Sequence, residues 1–160
     1  IYFGLMPTAD GPKVLEYNVR FGDPECQPLL MRLKNDLADV MTACIEGRLD
    51  SIKLEIEDRS ALGVVLTSAG YPGSYPKGMP ISGIEEAENM DDVQVFQAGT
   101  RKEGDRILAN GGRVLCVTAL GKDLKDAQKR AYEGLDHLTM EHSQFRNDIG
   151  LKGLKRLGLA

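Results

Sequence analysis

Apolar and polar residues alternate near the start of the chain. Between Val14 and Arg20, the polar residues Glu16, Asn18 and Arg20 stand at every second position, with apolar residues between them. Alternate side chains of a β-strand leave on the same face, so the pattern predicts a carboxylate, an amide oxygen and a guanidinium in one row. An Asp10-Gly11 turn signal between residues 1–6 and 13–19 predicts that these two runs form a β-hairpin.

Helical spacing follows the hairpin. From about residue 27 to Gly47, apolar residues recur every three or four positions, which predicts one helix that ends near Gly47. Asp23 at the N-cap, Pro24 at the first helical position and Glu25 in the first turn would begin it, although Pro28 competes as a first-turn proline. Backbone N–H groups at such a junction also favour an anion. Capping and anion binding therefore both stay open for this segment.

The second part of the chain begins after the charged, irregular residues 48–60. Residues 61–67 and 113–119 have the composition of buried strands, with a turn-rich loop over 70–78 and short strands over 93–98 and 106–109. Asp123 is a good N-cap for a helix with one apolar face, and residues 151–157 predict a last short helix. The pattern predicts an α+β fold with a domain boundary within residues 48–60.

Composition argues against several classes of function. The net charge of −4 gives no broad attraction to nucleic acid or anionic lipid, and no apolar run reaches membrane-spanning length. The three cysteines lack metal-ligand spacing and there are only two histidines, which argues against a thiolate or imidazole metal site. Reduced thiols and the lack of a visible secretory signal predict a cytoplasmic protein with no nucleic-acid or membrane partner. The chain opens at Ile1 directly into a strand pattern, and we expect it to be a piece of a longer polypeptide.

The polar row suits a hard divalent cation next to an anionic oxygen. Magnesium prefers oxygen ligands and usually keeps waters and substrate phosphates in its shell. Glu16 and Asn18 can supply two ligands and leave the other positions for phosphate, while Arg20 can pair with a phosphate or acyl-phosphate oxygen. A solvated hairpin face would show the same alternation, so the residues alone leave both interpretations open.

A family resemblance rests on residues 15–27, which read Leu-Glu-Tyr-Asn-Val-Arg-Phe-Gly-Asp-Pro-Glu-Cys-Gln. This block resembles the signature of the glycinamide ribonucleotide synthetases, also called phosphoribosylamine–glycine ligases. The resemblance continues in the same order through residues 70–73, 110–115 and 146–150. It implies an ATP-grasp fold, in which residues 1–52 are the last hairpin and helix of the ATP-grasp module and residues 53–160 are a small mixed α/β C-terminal domain.

The resemblance also implies a function. The intact enzyme would be an ADP-forming ligase of purine biosynthesis that joins glycine to 5-phosphoribosylamine and so makes glycinamide ribonucleotide. Glycine's carboxylate would take the γ-phosphoryl group of ATP, and the sugar amine would attack the acyl phosphate, which needs no protein nucleophile. The residues that bind ATP would lie upstream of Ile1, in a missing part of the same polypeptide, so the chain alone is expected to be inert.

Site roles are implied residue by residue. Glu16 and Asn18 would be ligands of Mg²⁺ or Mn²⁺, and Arg20 would be a catalytic residue facing phosphate. The substrate loop would consist of Gly22, Asp23, Pro24 and Glu25. The preceding strand, residues 2–6, has no acid, so a second metal-binding carboxylate of the kind found in many ATP-grasp enzymes would have to come from another segment.

Two other functions stay open. A sibling ATP-grasp ligase could keep the Glu-x-Asn-x-Arg pattern and join another acid and amine, and a non-catalytic ligand-binding domain could retain a degenerate site. The complete block over residues 15–27 argues against the first alternative. Intact Glu16 and Asn18 argue against the second.

Overall fold

The computed structural model describes residues 1–159 as a hairpin, two short helices and a two-sheet α/β domain. The first part contains β1 (Tyr2–Thr8), β2 (Gly11–Asn18), α1 (Cys26–Arg32), α2 (Leu37–Ile45) and a 3-10 helix (Leu49–Ser51). The second part contains β3 (Ser60–Ser68), β4 (Pro80–Ser82), α3 (Ile84–Glu88), β5 (Val93–Gln97), β6 (Thr100–Glu103), β7 (Arg106–Ala109), β8 (Arg113–Gly121), α4 (Leu124–His137), β9 (Thr139–Met140), β10 (Ser143–Gln144) and α5 (Leu151–Leu157). The predicted mixture of helices and antiparallel strands is confirmed.

The hairpin forms as predicted, but its second strand is shorter than the polar row. Strands β1 and β2 pair antiparallel, with Tyr2 opposite Asn18. Strand β2 ends at Asn18, and Arg20 lies in the bend that follows it. The prediction that Arg20 continues the strand row is therefore wrong.

The predicted single helix over residues 27–47 is also wrong, because the chain breaks into α1 and α2. Leu33 leaves the helix to form an antiparallel bridge with Ile56, and the Lys34 N–H donates to the Glu55 carbonyl oxygen at 2.9 Å. The Asp36 side chain then caps α2 by accepting from the Ala38 N–H at 2.8 Å. This break depends on contacts with residues more than 20 positions away, which local periodicity does not contain.

The two ends of this helical region differ in how well they were predicted. Helix α1 begins at Cys26, and its N-cap Glu25 makes no side-chain capping bond, so the capping roles of Asp23 and Pro24 are wrong. Pro28 does lie in the first turn of α1. Gly47 follows the end of α2 with a φ of +67°, as its predicted role requires.

A four-stranded antiparallel sheet, in the order β10-β3-β8-β5, forms the centre of the second part. Along β3, Leu62, Val64 and Leu66 are buried and alternate with residues on the other face. Helix α4 covers the first face, and α1 packs against β3 and β8. Strand β8 is buried almost throughout; it is an inner strand, and both α4 and α1 pack against it.

A second antiparallel sheet, in the order β6-β7-β4-β9, contributes Ile81, Ala109 and Met140 to the same hydrophobic core as the first sheet. Asp123 caps α4 by accepting from the Asp126 N–H at 2.8 Å, which confirms that N-cap. Among residues 1–159, no helix combines the length and the apolar character needed to cross a lipid bilayer. The division near residue 52 stays a prediction.

Candidate functional site

Glu16 and Asn18 lie on the same face of the hairpin. In the register of the two strands, Gly4 is opposite Glu16 and Tyr2 is opposite Asn18. A Cβ atom at Gly4 would lie 2.8 Å from Glu16 Cγ, so the glycine makes room for the glutamate side chain. The other face carries Phe3 and Tyr17, whose rings meet edge to face with their centroids 5.1 Å apart. The structure therefore places the two predicted oxygen donors together.

The segment from Gly22 to Glu25 folds back against Tyr2. A Cβ atom at Gly22 would lie 3.1 Å from Tyr2 Cζ and would clash with the Glu25 carboxylate. Partial burial raises the pKa of the Tyr2 phenol, and the nearby carboxylates of Glu25 and Glu16 raise this pKa further. Both carboxylates thus act on one hydroxyl group. Sequence reasoning missed Tyr2, since an aromatic residue in a strand carries no functional signal of its own.

Arg113 connects the second part of the chain to the same segment. Its Nη1 donates to the Asp23 backbone oxygen at 2.9 Å, and its Nη2 lies 3.4 Å from Asp23 Oδ2. Sequence reasoning left Arg113 out of the site. The available signal was its place in residues 110–115, one of the segments that carry the family resemblance.

A cavity of about 780 Å³ opens beside Pro24. Its floor is the half-buried face of β3, with Gly63, Val65 and Thr67. Its walls come from three separate segments of the chain, represented by Tyr71, Arg113, Ser143, Gln144, Phe145, Arg146, Asn147 and Ile149. The segments 70–73, 110–115 and 146–150, distant in the sequence, each contribute to this one cavity.

Arg20 lies in the bend after β2, outside the strand that carries Glu16 and Asn18. It is exposed, and its Nη1 donates to the Phe21 backbone oxygen at 2.7 Å. A guanidinium has five N–H donors, so this bond leaves donors for an anion. None of the hydrogen bonds and ion pairs described for residues 1–159 joins Arg20 to Glu16 or Asn18.

The donor set on the hairpin fits a hard cation that is completed by substrate. Within residues 1–159, no group of three or more His, Cys, Asp and Glu side chains could hold a metal. Glu16 and Asn18 offer a carboxylate and an amide oxygen on one face, with Glu25 near Tyr2 as a further carboxylate. Magnesium typically takes one or two carboxylates and fills its remaining positions with water and phosphate. These residues suit a site in which the protein supplies some of the cation's ligands, and water and phosphate supply the others.

Comparison with known families decides the relationship of the chain. A model of the C domain of phosphoribosylglycinamide synthetase matches residues 61–152. A model of the ATP-grasp (A) domain of phosphoribosylglycinamide synthetase matches residues 1–26. The chain belongs to the phosphoribosylglycinamide synthetase family.

Individual members of the phosphoribosylglycinamide synthetase family are similar over nearly the whole chain. The phosphoribosylamine–glycine ligase of Allochromatium vinosum is 52% identical over 98% of this chain and 36% of its own length. That of Rhodopirellula baltica is 50% identical over 96% of this chain and 36% of its own length. The crystal structure of phosphoribosylamine–glycine ligase from Thermotoga maritima is 29% identical, with a TM-score of 0.72 over 92% of this chain and 36% of that chain. The chain thus spans little more than a third of these relatives.

Proposed function

We propose that this chain is the C-terminal part of a cytoplasmic, ATP-dependent ligase of purine biosynthesis. The intact enzyme joins glycine to 5-phosphoribosylamine and forms glycinamide ribonucleotide, ADP and phosphate. Membership of the family and the names of relatives about half identical to the chain support this function. The structural observation that carries the proposal is the segment 22–25, which contacts the Glu16 side of the hairpin at one end and Arg113 beside the cavity at the other.

Glu16 and Asn18 hold Mg²⁺ or Mn²⁺ in this proposal. When bound, the cation neutralises phosphate charge as the phosphoryl group is transferred. Gly4 serves the site by leaving space for the Glu16 side chain. Because Glu16 is exposed and Asn18 is only half-buried, phosphate oxygens from a nucleotide can reach the same cation.

Arg20 faces the transferring phosphoryl group in this proposal. Arg20 lies in the bend after β2, where the backbone oxygen of Phe21 accepts a hydrogen bond from its Nη1. Phosphoryl transfer depends mainly on positioning and charge stabilisation. Planar two-pronged donation to phosphate is the property that distinguishes arginine from lysine here.

The surface of residues 1–56 supports a role for the rest of the polypeptide. Large apolar side chains are exposed along the hairpin and the helices after it: Phe3, Leu5, Met6, Val14, Leu15, Tyr17, Val19, Phe21, Leu29, Met41, Ile45, Leu49, Leu54 and Ile56. Large exposed apolar areas mark interaction sites, and so many exposed apolar side chains within one part of the chain indicate such an area. We assign it to the remainder of the same polypeptide, which would also contribute the nucleotide pocket.

The test is phosphate release by the intact gene product with ATP, Mg²⁺, glycine and freshly made phosphoribosylamine. Release should require both glycine and the sugar amine, and glycinamide ribonucleotide should form in equal amount. Replacing glycine with alanine is the specificity control. If phosphate is released with another acid and amine but not with glycine and phosphoribosylamine, the proposed substrates are wrong.

A further inference from the structure

We propose that the cavity beside Pro24 binds the phosphorylated pentose of the acceptor amine, with Arg113 and Arg146 as the residues that contact its phosphate. This inference rests on the proposed function, since it assigns one substrate of that reaction to a place in the fold. Nothing in the family match assigns a ligand to this cavity.

The size and lining of the cavity suit a small phosphorylated sugar. Its volume of about 780 Å³ falls in the range of 300–1,000 Å³ typical of small-molecule sites. Tyr71 and Phe145 provide apolar walls, and Asn147 and Thr67 provide polar groups that can meet sugar hydroxyls. The Thr67 hydroxyl donates to the Gln144 backbone oxygen at 3.0 Å, so its own oxygen remains an acceptor for a sugar hydroxyl.

Glycines at two positions, Gly63 in the floor and Gly112 at the rim, leave no room for a larger side chain. A Cβ atom at Gly63 would lie 3.0 Å from Cys116 Sγ and 3.1 Å from Thr118 Oγ1. At the rim, a Cβ atom at Gly112 would clash with the ring of Tyr71. The Tyr71 ring therefore packs directly on Gly112, the residue before Arg113. Any side chain at Gly63 or Gly112 would disturb the floor or the rim of the cavity.

Two arginines line the cavity, and a carboxylate holds each of them in place. Arg146 donates from Nε to Asp148 Oδ1 at 2.9 Å and from Nη2 to Asp148 Oδ2 at 2.7 Å, which leaves Nη1. Arg113 uses Nη1 and Nη2 toward Asp23, which leaves Nε. Each fork is thus oriented and keeps donors for a further anion. Two such groups favour a phosphate, which accepts from several directions.

The position of the cavity relates this site to the chemistry proposed at the hairpin. Pro24 belongs to both the cavity wall and the segment 22–25. Arg113 holds Asp23 in that segment, and Glu25 at its other end lies near Tyr2, the residue that Glu16 also approaches. A sugar phosphate held in the cavity would therefore have its phosphate at the arginines and its amine toward the segment that leads to the metal-binding face.

Binding of ribose 5-phosphate to the full-length protein tests the inference. Titration calorimetry is done with a saturating non-hydrolysable ATP analogue, so that the nucleotide phosphate site is already occupied. Ribose is the unphosphorylated comparison. We expect ribose 5-phosphate to bind, ribose to bind at least tenfold more weakly, and both Arg113→Gln and Arg146→Gln to weaken ribose 5-phosphate binding at least tenfold.

Arg130→Gln is the matched control. Arg130 resembles Arg113 in its contacts, because its Nη1 donates to the Asp91 backbone oxygen at 3.1 Å and its Nε lies 3.4 Å from Asp126 Oδ1. It is also similarly exposed, at 35% against 38% for Arg113. It lies on α4 and does not line the cavity. Its substitution should leave the binding of ribose 5-phosphate unchanged.

The outcomes separate this inference from the proposed function. Arg113→Gln could disturb segment 22–25 through Asp23, whereas the Arg146 side chain is 71% exposed and pairs with Asp148, so Arg146→Gln should stay folded. The inference is overturned if Arg146→Gln binds ribose 5-phosphate as wild type does, if ribose binds equally well, or if ribose 5-phosphate does not bind. In each case the proposed function survives if the wild-type enzyme still makes glycinamide ribonucleotide. A wild type that does not make this product overturns the proposed function.

Discussion

Gly4 lies directly opposite Glu16 in the hairpin, and the space above Gly4 is occupied by the Glu16 side chain. The distance from an added Cβ at Gly4 to Glu16 Cγ would be 2.8 Å. Because Cγ stands close to the backbone, it cannot retreat without carrying the carboxylate to a new place. The glycine therefore determines where the proposed metal ligand points.

Gly4→Ala in the full-length enzyme should raise the Mg²⁺ concentration needed for half-maximal activity several-fold, because the displaced carboxylate is a worse ligand. Activity measured against Mg²⁺ concentration checks this. Gly153→Ala is the steric control, since its Cβ would lie 2.8 Å from Leu124 Cδ2, the end of a flexible side chain on α4. Equal Mg²⁺ dependence in wild type and Gly4→Ala would show that Glu16 keeps its place or is not a ligand.

Glu16→Gln should keep the fold and lose most turnover, because a neutral amide is a poorer Mg²⁺ ligand than a carboxylate. Glu16 is exposed, so the thermal midpoint should change little. Raising the Mg²⁺ concentration should recover part of the activity. If the variant matches wild type at limiting Mg²⁺, Glu16 does not hold the cation.

Elements with strong local patterns were predictable from the sequence. The hairpin follows from alternation and the Asp10-Gly11 turn, and α4 follows from Asp123 and the apolar stripe after it. The break between α1 and α2 was not predictable, because the Leu33–Ile56 bridge joins residues far apart in the chain. Strands β9 and β10, of two residues each, are too short to show any period.

In the candidate site, too, some features follow from local sequence patterns and others depend on contacts between distant residues. Glu16 and Asn18 share a face because of strand geometry alone, which a sequence pattern contains. Arg20 lies outside the predicted row because the chain bends directly after β2 ends at Asn18. The contact between Arg113 and Asp23 spans 90 residues, and only the folded chain brings these two residues to one cavity.

Asp123→Ala should destabilise the domain by about 0.5–2 kcal/mol, the usual cost of losing an N-cap. The side chain accepts from the Asp126 N–H at 2.8 Å, and α4 packs on the central sheet. The thermal midpoint of the full-length protein should fall by a few degrees, roughly as expected for such a loss. Asp36→Ala, which removes the cap of α2, should lower it less, since Ala43 is the one buried residue of that helix.

Asp126→Asn should cost stability near neutral pH and cost less in acid. A hydrogen bond from the Lys122 backbone N–H lowers the pKa of the Asp126 carboxyl, and the Arg130 guanidinium lowers this pKa further. A lowered folded-state pKa gives stability that is present above the unfolded value of about 3.9 and is lost as pH falls through the folded value. The difference in thermal midpoint between wild type and variant should therefore shrink below about pH 4.

The control for this pH dependence is Asp136→Asn, an exposed position near the other end of α4. It should not reproduce the loss of stability at neutral pH that disappears in acid. A midpoint difference for Asp126→Asn that stays constant from pH 7 to pH 3 would show that the charge of Asp126 contributes nothing to folding.

Arg20→Lys separates a catalytic arginine from a surface arginine. The substitution keeps the positive charge and removes the planar, two-pronged donor. Arg20 is exposed and bonds to the Phe21 backbone oxygen, so the thermal midpoint should change little in either case. Arg101→Lys is a suitable control, because Arg101 is 51% exposed and pairs with Glu103 on β6, within the second part of the chain.

If Arg20 contacts the transferring phosphoryl group, its donors act mainly in the transition state. Loss of one such donor typically lowers the rate about 100- to 1,000-fold. We therefore expect a large fall in kcat for Arg20→Lys, with the affinity for ATP changed less than the rate, and no such fall for Arg101→Lys. Both quantities come from steady-state assays over a range of ATP concentrations. A kcat within about threefold of wild type corresponds to under about 1 kcal/mol, the range of an exposed charge pair, and would remove Arg20 from the catalytic residues.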